Sequence, residues 1–235
     1  TAVYAFKNYG GTMSISWEEM RETGNDDVRI FDLVKFKRDN AAKSLMNRLN
    51  ADLLQATSAS KEFFSLAELI ATTGTIGGID SSLGANAYWR SQEITTSGAF
   101  ATNGLNDMRT LWNDVTRQGQ GSPSMTLTTQ AIHEAFESEL DVDVRYADAS
   151  KLDRGALDLM WKGKPVAFDT DVIAGQLYMP NLDHLKFVVD TEGVMDFGEM
   201  IEPADQKAYT SKVVFRGMVC VDSRRAHGRI TGITT

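Results

Sequence analysis

From Val28 to Gln55 no glycine or proline interrupts the chain, and this run limits the possible folds more than any other feature. Glycine costs backbone entropy and proline removes a donor, so a stretch free of both can propagate one continuous helix. Phe31, Val34, Ala42, Leu45, Leu49 and Leu53 fall near one stripe, with Ala41 and Met46 beside it and polar Arg38 interrupting it. The opposite face carries Lys35, Asp39, Lys43, Asn47 and Asn50, with Asp39 and Lys43 at i,i+4 ion-pair spacing. At about 1.5 Å per residue the run makes a rod of roughly 40 Å. Such a rod, apolar along one stripe, has to lie along a sheet or a neighbouring copy. Asp26 or Asp27 is the expected N-cap. Upstream, Ser16-Trp-Glu-Glu19 is a capping box that opens a short helix, and Thr23-Gly24 is expected to stop it.

The remaining elements are shorter. Strand-like Val3–Phe6 opens the chain. Lys61–Ile70 is expected to be a short helix carrying Phe63, Phe64, Leu66 and Leu69. Leu105, Met108, Trp112 and Val115 mark another amphipathic helix, ended by Gln118-Gly-Gln-Gly121. Met125-Thr-Leu-Thr reads as a strand, and Ile132, Ala135, Phe136 and Leu140 mark the next helix. Strand patterns follow at 165–168, 176–179 and 184–189. The last runs from Ser211 to Val221, with Ser211, Val213, Phe215, Gly217, Val219 and Val221 on one face. Helices and strands interleave without a strict βαβ rhythm, so the expected class is α+β. There is no internal repeat and no low-complexity tract.

Between Thr73 and Arg90 lie Gly74, Gly77, Gly78 and Gly84. A phosphate-binding loop of this richness ends in Gly-Lys-Ser/Thr, because the lysine must reach the terminal phosphates. Here Ile79 and Asp80 follow Gly78, and a carboxylate at that point would repel an anion. The loop is expected to serve conformation.

Composition excludes several classes. Hydrophobic content of 42% and charged content of 24% are those of a globular protein. No apolar run reaches the roughly 20 residues that span a bilayer, so no membrane partner is expected. The net charge of -8 disfavours a dedicated nucleic-acid binder, whose footprint is basic. Cys220 is the only cysteine, which excludes an intrachain disulfide framework. Flanked by Val219 and Val221, it is expected to be buried filler. The chain opens at Thr1 without an initiator Met, so the segment is expected to be processed or to lack upstream residues.

Catalytic patterns are weak. His133, His184 and His227 are far apart and form no zinc-binding spacing, so neither a metal nor a cofactor is expected. No nucleophile elbow is present, and Ser81, Ser82 and Ser122 sit in turn-prone sequence. Asp141, Asp143, Asp148, Asp153 and Asp158 recur through one region, but Glu137–Asp148 has no glycine and so is no EF-hand loop. Asp169-Thr-Asp171 reads as a solvated turn. A carboxylate pair of the glycosidase kind stays open, since spatial separation sets such pairs.

Three segments in order resemble major capsid proteins of tailed bacteriophages: Gly77-Gly-Ile-Asp80, Tyr88-Trp-Arg90, and the helix Met108-Arg-Thr-Leu-Trp-Asn-Asp-Val115. The likeness continues through Leu127–Leu140, Trp161–Asp169 and Ser223-Arg-Arg-Ala-His-Gly-Arg-Ile-Thr-Gly232, covering nearly the whole chain from about Val3. It implies the Hong Kong-phage type of capsid fold. In that fold the long helix, about 26–56, is the spine of a peripheral domain made from residues 1–104 and 200–235, and 105–199 form an axial domain. An N-terminal arm and an extended loop would normally precede this point. The implied role is a non-enzymatic virion protein, assembled in the host cytoplasm as pentamers and hexamers of an icosahedral shell. Scaffold or decoration proteins would be partners, and packaged double-stranded DNA would lie close by. An acidic subunit suits the last, because dense phosphate neutralisation would hold the polymer too tightly.

On that reading Tyr88, Trp89 and Arg90 are candidate contacts between subunits, because Trp, Tyr and Arg dominate interface energetics; packing inside the chain is the competing role for Trp89. Trp112, on its helix stripe, is expected in the core. Arg224, Arg225 and Arg229 form the one basic cluster, expected to pair with acidic groups of a neighbour in preference to DNA. Two other readings remain: an encapsulin-type compartment shell, and a soluble hydrolase using a carboxylate pair.

Overall fold

The computed structural model describes residues 1–23, 27–117, 121–144 and 159–235. Asp26 and Gly24, the expected cap and stop, lie outside these residues, as do Gln118–Gln120 and Asp148, Asp153 and Asp158; the side chains of Asp27, Asp141 and Asp143 are likewise not described.

Strand β1 (Lys7–Ser16) begins just after the predicted Val3–Phe6. It alternates, burying Tyr9, Met13 and Ile15 and exposing Asn8, Gly10, Thr12 and Ser14. Its last residue is also the N-cap of α1 (Trp17–Glu22): the Ser16 hydroxyl accepts from the Glu19 amide at 3.2 Å, and the Glu19 carboxylate accepts from the Ser16 amide at 3.0 Å. The predicted capping box is therefore present on both sides.

The long helix is real. α2 spans Asp27–Leu54, 28 residues, about 42 Å of rod. Its burial departs from the stripe, however: Leu45, Asp52 and Leu54 are its only buried residues among those described, and none lies before Leu45. Asp39 and Lys43 form no ion pair; Arg48 instead binds Asp52 at 2.9 Å and Glu62 at 2.7 Å.

The predicted helix over 61–70 contracts to one turn, α3 (Leu66–Leu69). Ser65 takes an extended N-cap conformation (φ -70°, ψ 155°) and makes a second capping box with Glu68, so helix cannot run through it. Upstream, the Phe63 amide donates to the Tyr9 hydroxyl at 2.9 Å, and the two rings pack at 4.8 Å. Ser65 is fully buried, so Ser65→Ala is expected to lower stability by about 1–2 kcal/mol, the usual loss for a cap. Denaturant titration checks this through a lower midpoint at unchanged slope.

After a short hairpin, β2 (Thr75–Ile76) and β3 (Ile79–Asp80), come β4 (Gln92–Ala99) and α4 (Leu105–Thr116). Met108, Leu111, Trp112 and Val115 of α4 are buried, as its spacing predicts. Then come β5 (Thr126–Thr128), α5 (Gln130–Val144), β6 (Met160–Trp161), β7 (Lys164–Phe168), β8 (Leu177–Met179), β9 (Leu185–Val189), β10 (Asp196–Phe197), β11 (Ala208–Val221) and β12 (Gly228–Thr234).

Two sheets organise these elements. In the first, β11 is central and antiparallel throughout: β1 lies along one side, and β10 and β9 share the other. Its Ser211, Val213, Phe215, Gly217, Val219 and Val221 are buried, the face predicted from alternation. Cys220 belongs to the opposite set and is half-buried, which corrects the expectation of core filler: burial raises its pKa, keeping it a thiol. The second sheet is mixed, in the order β4-β12-β8-β5-β7-β6, with parallel pairing of β4 to β12 and of β5 to β7. The second half of α2 and α3 cover the first sheet over a core that includes Leu45, Phe63, Leu69, Val213 and Phe215. α4 and α5 cover the second over Phe100, Met108, Leu111, Phe136 and Ile230. The architecture is α+β. β4 and β12 come from the predicted peripheral segments, yet they hydrogen-bond into the sheet that α4 and α5 cover; β9 and β10, from within 105–199, join the sheet of β1 and β11.

Candidate functional site

The glycine loop is a conformational device. Gly77 and Gly78 connect β2 to β3 with φ of 61° and 80°, the positive values at both centres that a tight type I′ hairpin turn requires. The Gly77 carbonyl accepts from the Val3 amide at 2.9 Å. A Cβ at Gly77 would sit 2.7 Å from that of Ala2. The backbone is thus occupied by the chain's own first residues. The Asp80 carboxylate accepts from the Ser82 amide at 2.9 Å.

Trp89 and Arg90 turn inward. Trp89 is buried and its indole N–H donates to the Ile76 carbonyl at 3.2 Å. Arg90 donates to the carbonyls of Ser81 and Ser82 at 2.7 and 3.1 Å. Tyr88 is the member of this trio with open surface, 58% exposed.

The arginine cluster also faces inward. Arg224 is fully buried. Its Nε donates to the Leu69 carbonyl at 2.9 Å, one terminal nitrogen donates to the carbonyls of Glu68 and Ala71 at 3.0 and 2.6 Å, and the other reaches the Ser81 hydroxyl at 3.2 Å. Ser81 in turn donates to the Gly74 carbonyl at 3.0 Å. One guanidinium thereby caps the end of α3 and pins the glycine loop. Burial pushes its pKa down to about 10, so it stays charged at neutral pH. Arg229 donates to the Ala67 carbonyl at 2.9 Å and pairs with Glu93 at 2.7 Å. The expected pairing of Arg224 with a neighbour is corrected here: a side chain with no exposure spends its donors within the chain. Arg225 is half-buried.

The sequence offered His227 only as a candidate metal ligand and did not signal its burial. It is fully buried, its Nδ1 accepts from the Asn181 amide at 3.0 Å, and its Nε2 has no hydrogen-bond partner among the described residues. The position follows from the crossing of β11 to β12 between the two sheets, which no local pattern announces.

The catalytic candidates do not converge. The His133 ring lies tilted against Phe168, centroids 5.0 Å apart, and His184 binds Asp222 at 2.7 Å. Asp169 and Asp171 share the Asn50 amide as donor, at 3.2 and 2.9 Å, and Asp169 closes a turn onto the Asp171 backbone, as expected of a solvated turn. Among the described residues no group of three or more potential ligands could hold a metal, and no helix is long and apolar enough to cross a membrane.

The unsatisfied surface lies elsewhere. Phe31 and Phe36 in the first half of α2 are 68% and 66% exposed. Farther along α2, an apolar groove of about 330 Å³ opens between Met46, Leu49 and Leu53 and the aromatic floor of Phe63, Phe187 and Phe215. Phe187 and Phe215 stack there at 5.9 Å.

No family model matches the chain, and no curated protein matches it in sequence. Solved structures do match. The capsid asymmetric unit of cyanophage A-1(L) superposes with a TM-score of 0.71 at 18% identity, over 97% of this chain and 78% of that one. The capsid of an empty GTA particle gives 0.64 at 12% identity, over 97% and 78%. The holo-SrpI encapsulin complex from Synechococcus elongatus gives 0.61 at 13% identity, over 98% and 75%. The fold is that of capsid shell subunits, in the Hong Kong-phage type.

Proposed function

We propose that this chain is a major capsid protein of a tailed phage, forming pentamers and hexamers that close an icosahedral head around double-stranded DNA. The observation that carries this reading is the long helix. A helix none of whose described residues before Leu45 is fully buried, and which leaves Phe31 and Phe36 exposed, presents apolar surface that soluble monomers cover. Contacts with further copies supply the cover. The half built on α2 and the four-stranded sheet would be the peripheral lobe; the core drawn mainly from 105–199 would be the axial lobe. Tyr88, exposed, and Arg225, half-buried and outside the inward bonds that Arg224 and Arg229 make, are proposed to meet neighbours. The virion is the proposed location, with assembly in the host cytoplasm and scaffold or decoration proteins as further partners. The shape is the mechanism: a stiff beam fixes subunit orientation while heterologous contacts repeat around each ring.

Phe31→Asp with Phe36→Asp tests this. The double variant is expected to stay folded, with an unchanged melting curve, and to lose assembly. Assembly at the wild-type threshold would count against the reading. The encapsulin likeness supplies a second reading, a compartment that holds protein. Nucleic acid inside recovered shells supports the phage reading, and a protein cargo supports the compartment.

A further inference from the structure

Between β9 and β11 the chain makes an acidic excursion. From 190 to 206 it carries Asp190, Glu192, Asp196, Glu199, Glu202 and Asp205 and no lysine or arginine. Asp190 binds Arg216 at 3.4 Å. The other five are exposed and have no cation within ion-pair distance among the described residues. Ile201 projects from the same segment, 65% exposed, and Val194 is 55% exposed. Carboxylates repel one another, so holding so many around exposed aliphatic side chains suits a segment that meets a cationic, partly apolar surface.

The N-terminal three-fifths of α2, roughly, is such a surface. Asp27–Lys43 carries Arg29, Lys35, Lys37, Arg38 and Lys43 against three carboxylates, and it presents Phe31 and Phe36. Lys37 is used within the chain, bonded to Glu19 at 2.7 Å. Lys35 and Lys43 are exposed and make no ion pair with the described residues. The two patches nearly touch within one copy: the Arg38 guanidinium lies 5.4 Å over the ring of Phe197, at the root of the excursion. Among the described residues no ion pair joins the excursion to that stretch of helix in its own chain. Unspent charge of opposite sign, side by side on one surface, can be satisfied reciprocally by a second copy.

We propose that the acidic excursion 190–206 of one copy docks on the Asp27–Lys43 stretch of α2 of a second copy, with Ile201 against Phe31 or Phe36 and Glu199 and Glu202 facing Lys35 and Lys43. The proposal rests on the shell reading and names a contact within it. Rim charges chiefly set encounter rate and register, so the contact weakens with salt.

Charge reversal tests it, read as the protein concentration at which light scattering detects assembly. Glu199→Lys with Glu202→Lys is expected to raise that threshold at least about tenfold, as is Lys35→Glu with Lys43→Glu, because each replaces attraction by repulsion across the contact. Combining all four is expected to recover most of the loss. These side chains are exposed and make no ion pair with the described residues, so melting curves should be unchanged, and circular dichroism verifies that each variant is folded. Assembly of both double variants at the wild-type threshold overturns the contact and leaves the shell reading standing. Loss in the doubles without recovery in the quadruple also overturns it. A wild-type chain that never assembles overturns the shell reading itself.

Discussion

Arg224→Ala is expected to lower stability by about 3–5 kcal/mol, more than any surface substitution in this chain. The change removes donors from three buried or part-buried carbonyls and one hydroxyl, and a buried acceptor left short of its donor costs about 1–3 kcal/mol. These acceptors belong to the end of α3 and to the loop-forming Ser81, so the loss is shared between two segments that this one side chain ties together. Arg224→Lys keeps the charge but replaces the planar fork by a compact ammonium, which cannot reach all four acceptors. It should therefore fall between wild type and Arg224→Ala. Urea unfolding monitored by tryptophan fluorescence reads both, and a loss under about 1 kcal/mol for Arg224→Ala would show that the knot is incidental.

Acid should weaken the fold through His227. Burial pushes its pKa from 6.5 down to about 4, with His184 and Arg224 acting in the same direction and Asp222 against it. The hydrogen bond from Asn181 reinforces this, because Nδ1 must be unprotonated to accept. The sign is that of a depressed group: the unfolded chain takes up the proton first, so stability is complete above about pH 6.5 and is lost as pH falls toward 4. Between pH 7 and 4.5 the loss from this residue alone is about 2–3 kcal/mol. Other carboxylates titrate near the lower end, so the informative quantity is a difference. In His227→Asn the side-chain oxygen can accept from Asn181 and does not titrate. The wild type should lose about 2–3 kcal/mol more than this variant over that range, whereas equal losses would remove His227 as the cause. The lesion would fall on the β11–β12 crossing, where one sheet hands the chain to the other.

Features written in local sequence were legible before the structure. The Ser16 capping box, the uninterrupted α2, the stripe of α4 and the alternation of β11 each depend on residues within a turn or two of one another. Features set by distant partners were not. β4 contains Thr95, Thr96 and Ser97 and no clear alternation; it is a strand because β12, far along the chain, lies parallel to it. The Lys61–Ile70 pattern satisfied a helix, but Ser65 is claimed as an N-cap and the Phe63 amide by Tyr9. The apolar stripe on α2 was visible, but the length over which the chain covers it was not. In the candidate contacts, residue type suggested interfaces for Trp89 and Arg224, yet both are spent on backbone carbonyls of this chain. The same large, multivalent side chains serve either purpose, and only the fold decides which.

The most direct test is the mass of the wild-type particle in solution, by light scattering on chromatographic fractions followed by negative-stain microscopy of the same fractions. Rings of five or six subunits, or closed shells built from them, are the expected result. A compact monomer or dimer at every concentration and salt tested would contradict the shell reading.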